Sequence, residues 1–163
     1  MRKKVIGIMG GHQASAATVA IAHELGVAIA REGHAVLTGG RDEGVMVAAT
    51  RAAREAGGLT IAVHPGRRED RTHADADVVI FTGIGWARNH LNILSSDAII
   101  ALEGESGTLS EVAYADSYGV PTALLGFDDK GWFGDRVVRV DDVPTAMAWL
   151  RNILGPAAPP KSE

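Results

Sequence analysis

Residues 4–40 read KVIGIMGGHQASAATVAIAHELGVAIAREGHAVLTGG, and this stretch decides the fold. Residues 4–9 form a short apolar run closed by Gly10-Gly11, which is the pattern of a buried strand. From 15 to 31, Thr18, Ala22, Leu25 and Ile29 recur at three- and four-residue spacing, so one face of a helix is apolar. Gly33 follows where a left-handed residue ends a helix. Residues 35–38 are apolar again and run straight into Gly39-Gly40. A strand, a helix of this length and a second strand make a crossover unit whose two strands lie parallel.

The rhythm continues outward. Residues 45–55 predict an alanine-rich helix stopped by Gly57-Gly58, 59–63 a strand, and 64–75 a polar, arginine-rich loop. Strands are expected at 78–81, 98–102, 121–125 and 137–140, and helices at 86–94, 109–118 and 143–154. Alternation of this kind predicts an α/β fold: a single doubly wound parallel sheet, Rossmann-like, with right-handed crossovers and helices on both faces. The continuously apolar strands fit a sheet covered on both sides. Residues 1–155 read as one nucleotide- or cofactor-binding domain, and 156–163 as a disordered C-terminal tail of Pro, Ala and polar residues.

Composition narrows the function. The 163 residues carry 16 Lys and Arg against 20 Asp and Glu, a net charge of −4, where a nucleic-acid binder usually carries a basic excess. Zero cysteines exclude disulfides, iron–sulfur clusters, cysteine zinc sites and thiol catalysis. No apolar run reaches the roughly 18 residues of a membrane span, and no signal-peptide pattern opens the chain, so a cytoplasmic protein without a membrane partner is expected. The six histidines have no zinc-ligand spacing, and no metal site is expected.

Twenty glycines outnumber the three Trp, two Tyr and three Phe, and they cluster after strands. Gly10-Gly11, Gly39-Gly40, Gly83 with Gly85, and Gly104 with Gly107 each precede a helix. In a doubly wound sheet these positions line the crevice at the C-terminal strand ends. Glycine admits close backbone approach, and the helix N-terminus behind it offers free N–H groups, so the expected ligand is anionic, most economically a phosphate ester. The dinucleotide pattern G-x-G-x-x-G and a Walker lysine are both absent. His12 and His64 fall on loops of the same edge. The basic run Arg67, Arg68 and Arg71 reads either as a solvated loop or as a lid over an anion.

Residues 82–92, TGIGWARNHLN, and 96–111, SDAIIALEGESGTLSE, carry the richest chemistry. Among their residues, Arg88 offers a planar cationic fork and Glu111 a carboxylate. Thr108 and Glu111 also fit a capping box, with Thr108 as N-cap and Glu111 at N3, which would make Glu111 structural. Ser106 and Ser110 have no histidine partner at readable spacing.

These two segments resemble the superfamily of the LONELY GUY phosphoribohydrolases, formerly labelled lysine decarboxylases, and the molybdenum cofactor carrier proteins. Arg88, Asp97, Gly104, Gly107, Thr108 and Glu111 fall in the register of the hydrolases' arginine, S-D-A and glycine-rich motifs. The carrier branch is closer, because Thr82 to Asn89 matches its T-G-x-G-x-A-R-N and Gly107 to Glu111 its G-T-L-S-E. Gly39-Gly40 with Gly44-Val45-Met46 is similar to the family's second glycine loop, and the likeness spans residues 5–125. Two departures stand out: Glu103 and Glu105 replace part of the glycine-rich loop, and Asn89 replaces the hydrolase lysine.

The resemblance implies a binding or carrier protein for a phosphorylated heterocycle, with bound molybdenum cofactor or nucleotide and no cofactor required for catalysis. Its ligand contacts would be Gly10, Gly11, Gly39, Gly40, Gly83, Gly85, Asn89, Gly104, Ser106, Gly107 and Thr108. The alternative it implies is a nucleoside 5′-monophosphate phosphoribohydrolase with Arg88 and Glu111 as catalytic residues. A DNA-binding relative of the same fold is disfavoured by the charge, and lysine decarboxylation by the lack of a lysine in a pyridoxal-phosphate setting. The superfamily also implies a homodimer or homotetramer, with residues 112–118 as a candidate interface helix.

Overall fold

A computed structural model describes residues 2–69 and 75–155. The tail at 156–163, Arg71 of the basic run and His73 lie outside the described residues. In chain order the elements are β1 (Val5–Met9), α1 (Ala16–Arg31), β2 (Ala35–Thr38), α2 (Gly44–Glu55), β3 (Thr60–His64) and β4 (Val78–Phe81). A 3₁₀ turn (Gly85–Arg88) then leads into α3 (Asn89–Leu94), β5 (Ala98–Ala101), α4 (Ser106–Tyr118), β6 (Thr122–Leu125), β7 (Val137–Val140) and α5 (Val143–Leu154). The seven strands form one parallel sheet in the order β4-β3-β2-β1-β5-β6-β7. No helix of the described residues is long and apolar enough to cross a membrane.

The period of two along each strand divides the core between the sheet's faces. Ile6, Ile8, Val36 and Ile100 point toward α1, α2 and α5, where Leu25, Ile29, Val45 and Leu150 meet them. Met9, Leu37, Ile99 and Leu124 point the other way, against Ile93 of α3 and Val112 and Ala115 of α4. Apolar residues of this size each contribute about 1.5–3 kcal/mol when buried. Helix ends are specified locally: Ser15 Oγ accepts from the Thr18 amide at 3.1 Å, and an Asp142 carboxylate oxygen from Thr145 at 2.8 Å. Gly119, at φ 69°, ends α4 in the left-handed conformation that glycine adopts without strain.

Three details depart from the sequence reading. The helix expected at 86–94 begins as the 3₁₀ turn and becomes α-helical only at Asn89. Helix α4 starts at Ser106 rather than 109, because Ser106-Gly107 belongs to its first turn and not to a loop. Cover on the α3 and α4 face is also incomplete. Val78 and Ile80 of edge strand β4 remain 44% and 46% exposed, since α3 has six residues and does not reach them.

Strand order reverses direction between β1 and β5, so the loops that follow these strands diverge and leave a crevice. The Gly11 amide donates to the Glu103 carbonyl at 3.1 Å, tying the two loops at its base. Asp97, in register with the superfamily's S-D-A, lies at the opposite edge of the sheet. Its carboxylate takes two hydrogen bonds from Arg2 at 2.7 Å and one from the Val5 amide at 2.9 Å. Those contacts hold the carboxyl well below the usual carboxylate range, at about 2. Asp97 clasps the start of β1 and has no place in the crevice.

Candidate functional site

The cleft opens at the C-terminal ends of β1, β2 and β5. Gly10, Gly11 and His12 form one wall, and Gly39, Arg41 and Met46 another. Trp86, Arg88 and Asn89 come from the 3₁₀ turn and α3, and Glu105, Gly107, Thr108 and Glu111 from the start of α4. Counted out to its open mouth the cleft has a volume of about 480 Å³, and its free room is only about 40 Å³. That is room for a few waters.

Three side chains fill the floor. Arg88 is 5% exposed; its Nη2 donates to the Gly39 carbonyl at 2.8 Å, and its Nη1 donates to Asn89 Oδ1 and, at 3.4 Å, to Glu111 Oε1. Asn92 Nδ2 donates to the same Glu111 oxygen at 2.6 Å. Burial pushes the Glu111 carboxyl up to about 7, against the opposing pull of Arg88 and the Asn92 hydrogen bond. Burial likewise draws the Arg88 guanidinium down, which Glu111 partly offsets. Two polar atoms are left buried without a partner, Arg88 Nε and Asn92 Oδ1. In a protein interior such atoms are costly, and they mark where a ligand or water would be held.

The start of α4 forms the next layer. Its N-cap, Glu105, is extended and makes no side-chain cap, so the first N–H groups of the helix have no side-chain acceptor there. The Glu105 carboxylate turns toward His12, with Oε2 4.0 Å from Nδ1. Glu103 is exposed and does not line the cleft, so of the two carboxylates only Glu105 stands at the rim. Thr108 is the third residue of α4 and Glu111 the sixth, which overturns the capping-box reading. Both side chains are buried, and Glu111 is bound to Asn92 and Arg88 rather than to the helix start.

Glycine is required here for space. A Cβ at Gly39 would stand 2.5 Å from Arg88 Nη2, and one at Gly107 would stand 2.8 Å from the six-membered ring of Trp86. A Cβ at Gly104 would collide with Thr108 Oγ1, so that glycine serves packing behind the cleft.

Of the residues singled out in the sequence, Gly10, Gly11, Gly39, Arg88, Asn89, Gly107, Thr108 and Glu111 meet in this cleft. Gly40, Gly83, Gly85, Gly104 and Ser106 do not line it. Gly83 instead borders a separate open groove with Arg67 and Arg68. His12 lines the cleft, whereas His64 is buried with its Nδ1 accepting from the Gly66 amide at 3.0 Å. Asn89 is 2% exposed and links Arg88 to Ser110, to whose Oγ its amide donates at 3.1 Å. Asn92, Arg41 and Trp86 are cleft residues that the sequence reading does not single out, and Met46 enters it only as part of the second glycine loop. For Asn92 a signal existed, because Arg88, Asn89 and Asn92 lie at helical spacing and are the polar face of a short apolar helix.

Comparison with known proteins places the cleft in context. A molybdenum cofactor binding protein from the phototrophic bacterium Rippkaea orientalis is 40% identical, with a TM-score of 0.90 over 94% of this chain and 99% of its own. The molybdenum cofactor carrier protein of Chlamydomonas reinhardtii is 36% identical, with a TM-score of 0.86 over 94% of this chain and 99% of its own. A cytokinin riboside 5′-monophosphate phosphoribohydrolase of Mycobacterium tuberculosis is 37% identical over 142 residues, 82% of this chain and 70% of that protein. Residues 3–149 match the SLOG cluster4 family, so nearly the whole described chain, cleft included, is accounted for by one family. The chain belongs to the SLOG cluster4 family, within the superfamily that joins the LONELY GUY phosphoribohydrolases to the molybdenum cofactor carriers.

Proposed function

We propose that the protein binds and carries a phosphorylated heterocycle in the cleft between β1 and β5, with the molybdenum cofactor's pterin phosphate as its cargo. The observation that carries this reading is the pairing of an uncapped α4 N-terminus with the buried Arg88 fork, whose Nε has no protein partner. A helix start and a guanidinium at the closed end of a glycine-walled cleft are complementary to a phosphate. The orphaned Nε fits a cargo whose phosphate reaches the floor. The carrier and binding proteins at 36–40% identity support the same reading.

The second reading is phosphoribohydrolysis, and one observation favours it. Glu111, held near 7, has the proton affinity of a group that can give or take a proton at neutral pH. Against it, Oε1 of that carboxylate is committed to Asn92 and Arg88. Chromatography of the protein incubated with AMP and the other nucleoside 5′-monophosphates separates the two. Release of free base by wild type but not by Glu111→Gln would establish the hydrolase. Binding of a phosphorylated pterin without release of base would establish the carrier.

We infer self-association as well. The outer face of α3 and α4 presents Leu91, Leu94 and Tyr118 to solvent beside the His90 and Tyr114 rings, which are tilted by 31° with centroids 3.7 Å apart. Light scattering at micromolar concentration, giving a dimer or tetramer mass, tests it.

A further inference from the structure

Trp86 is 65% exposed, although its indole stands at the rim of the cleft. Trp132 is equally exposed but belongs to the β6–β7 connection and does not line the cleft. The Trp86 ring is held from two directions. Its six-membered ring rests against Gly107, where any side chain would be 2.8 Å away, and the Arg41 guanidinium lies over it at 5.5 Å from the centroid. Glycine at 107 thus leaves room for the indole to lie flush on the first turn of α4, beside the uncapped helix start.

We propose that Trp86 is the stacking platform for the ligand's flat heterocycle, and that Arg41 covers the same ring surface until the heterocycle displaces it. The proposal rests on the reading of the cleft as a site for phosphorylated heterocycles and names the residue that recognises the ring. Two lines of chemistry converge on it. A guanidinium and an aromatic heterocycle are both flat groups that stack on an indole, so exchanging one for the other keeps the ring covered. Released from the indole, Arg41 becomes a second cation at the mouth, close to where the phosphate would sit against α4. The free room of about 40 Å³ inside the cleft is too small for a base, so the ring end of the ligand stays at the mouth, where Trp86 is. Stacking of this kind is tolerant of ring identity, which places selectivity for base or pterin elsewhere.

The test compares ligands with and without the ring. Calorimetric titration uses AMP, neopterin 3′-phosphate and the ringless control ribose 5-phosphate against wild type, Trp86→Ala and Trp86→Phe, each checked by thermal melt. The expected result is that wild type binds at least one ring-bearing ligand at least about tenfold tighter than ribose 5-phosphate. Trp86→Ala should erase that difference without weakening ribose 5-phosphate binding, and Trp86→Phe should retain most of it. In the Trp132→Phe, Trp149→Phe background, where Trp86 is the only tryptophan, AMP should quench the emission and ribose 5-phosphate should not. A ring preference that survives in Trp86→Ala overturns the platform and leaves the proposed function standing. Equal losses for ringed and ringless ligands also overturn it, by assigning Trp86 to the phosphate cradle. Failure of all three ligands to bind wild type overturns the platform and the proposed function together.

Discussion

Asn92 Nδ2 donates to Glu111 Oε1 at 2.6 Å, joining a polar residue of the shortest helix to the one carboxylate at the floor of the cleft. The contact keeps Glu111 facing α3 and Arg88 rather than the helix start, and it ties α3 to α4. A carboxylate held this way is sensitive to protons. Burial opposes its charge, while Asn92 and Arg88 support it.

Replacing Glu111 by Gln should therefore change how stability depends on pH. Below about 4.5 the carboxyl is neutral in the folded and unfolded chains alike and contributes nothing. Between 4.5 and about 7 the unfolded chain ionises while the folded one keeps its proton, so wild type loses stability as pH rises. Above 7 the penalty is complete and constant, on the order of 3 kcal/mol. Glu111→Gln should be flat over that window and gain on wild type between pH 5 and 8. Urea melts at half-unit pH steps measure it, and parallel curves for the two proteins would refute the assignment.

Asn92→Asp sets a second carboxylate against the first. The two would share one proton at pH 5 and be forced to ionise together at pH 8. The variant should lie within about 1 kcal/mol of wild type at pH 5 and lose about 2–4 kcal/mol at pH 8. Equal losses at both values, in the same melts, would mean that Asn92 does not face Glu111.

The strands were legible because nearly every strand residue is apolar, and a sheet covered on both faces leaves no other reading for such short runs. Glycine clusters after β1 and β2 were legible as cleft walls for the same topological reason. Gly83 and Gly85 misled because β4 is the sheet edge, with β3 and β2 between it and the switch point. Helix α4 was started three residues late because Ser106-Gly107 looks like a loop. Its first turn lies against Trp86, which packs on Gly107, a contact between residues 21 apart that no local pattern encodes. Asn92 was overlooked for a related reason: an asparagine in a short helix acquires meaning only when the buried carboxylate of another helix is placed opposite.

Gly39→Ala tests the floor without replacing a charged residue. The new methyl would stand 2.5 Å from Arg88 Nη2 and 2.9 Å from Met46 Sδ, so the guanidinium must leave the Gly39 carbonyl. The expected stability loss is about 1–3 kcal/mol, as for other overpacked sites. Ribose 5-phosphate affinity should fall about tenfold or more if Arg88 holds the phosphate. A variant that melts lower but binds as wild type would separate Arg88 from the ligand.

Asp97 offers a control far from the cleft. Its carboxyl lies at about 2 instead of 3.8, held there by Arg2, the Val5 amide and Lys4. The stabilisation is fully present above pH 4 and is lost as pH falls through 2, since the folded chain must then take up a proton it resists. Asp97→Asn should cost about 1–2 kcal/mol at pH 7 and nothing near pH 2, so the two acid-unfolding curves should converge. Arg2 is largely exposed, so its share should fade in 0.5 M NaCl while the share from the Val5 amide persists. Circular dichroism of both proteins between pH 2 and 7 reads the convergence directly. Ligand affinity at pH 7 should be the same in both, because the sheet edge that Asp97 clasps is the one opposite the cleft.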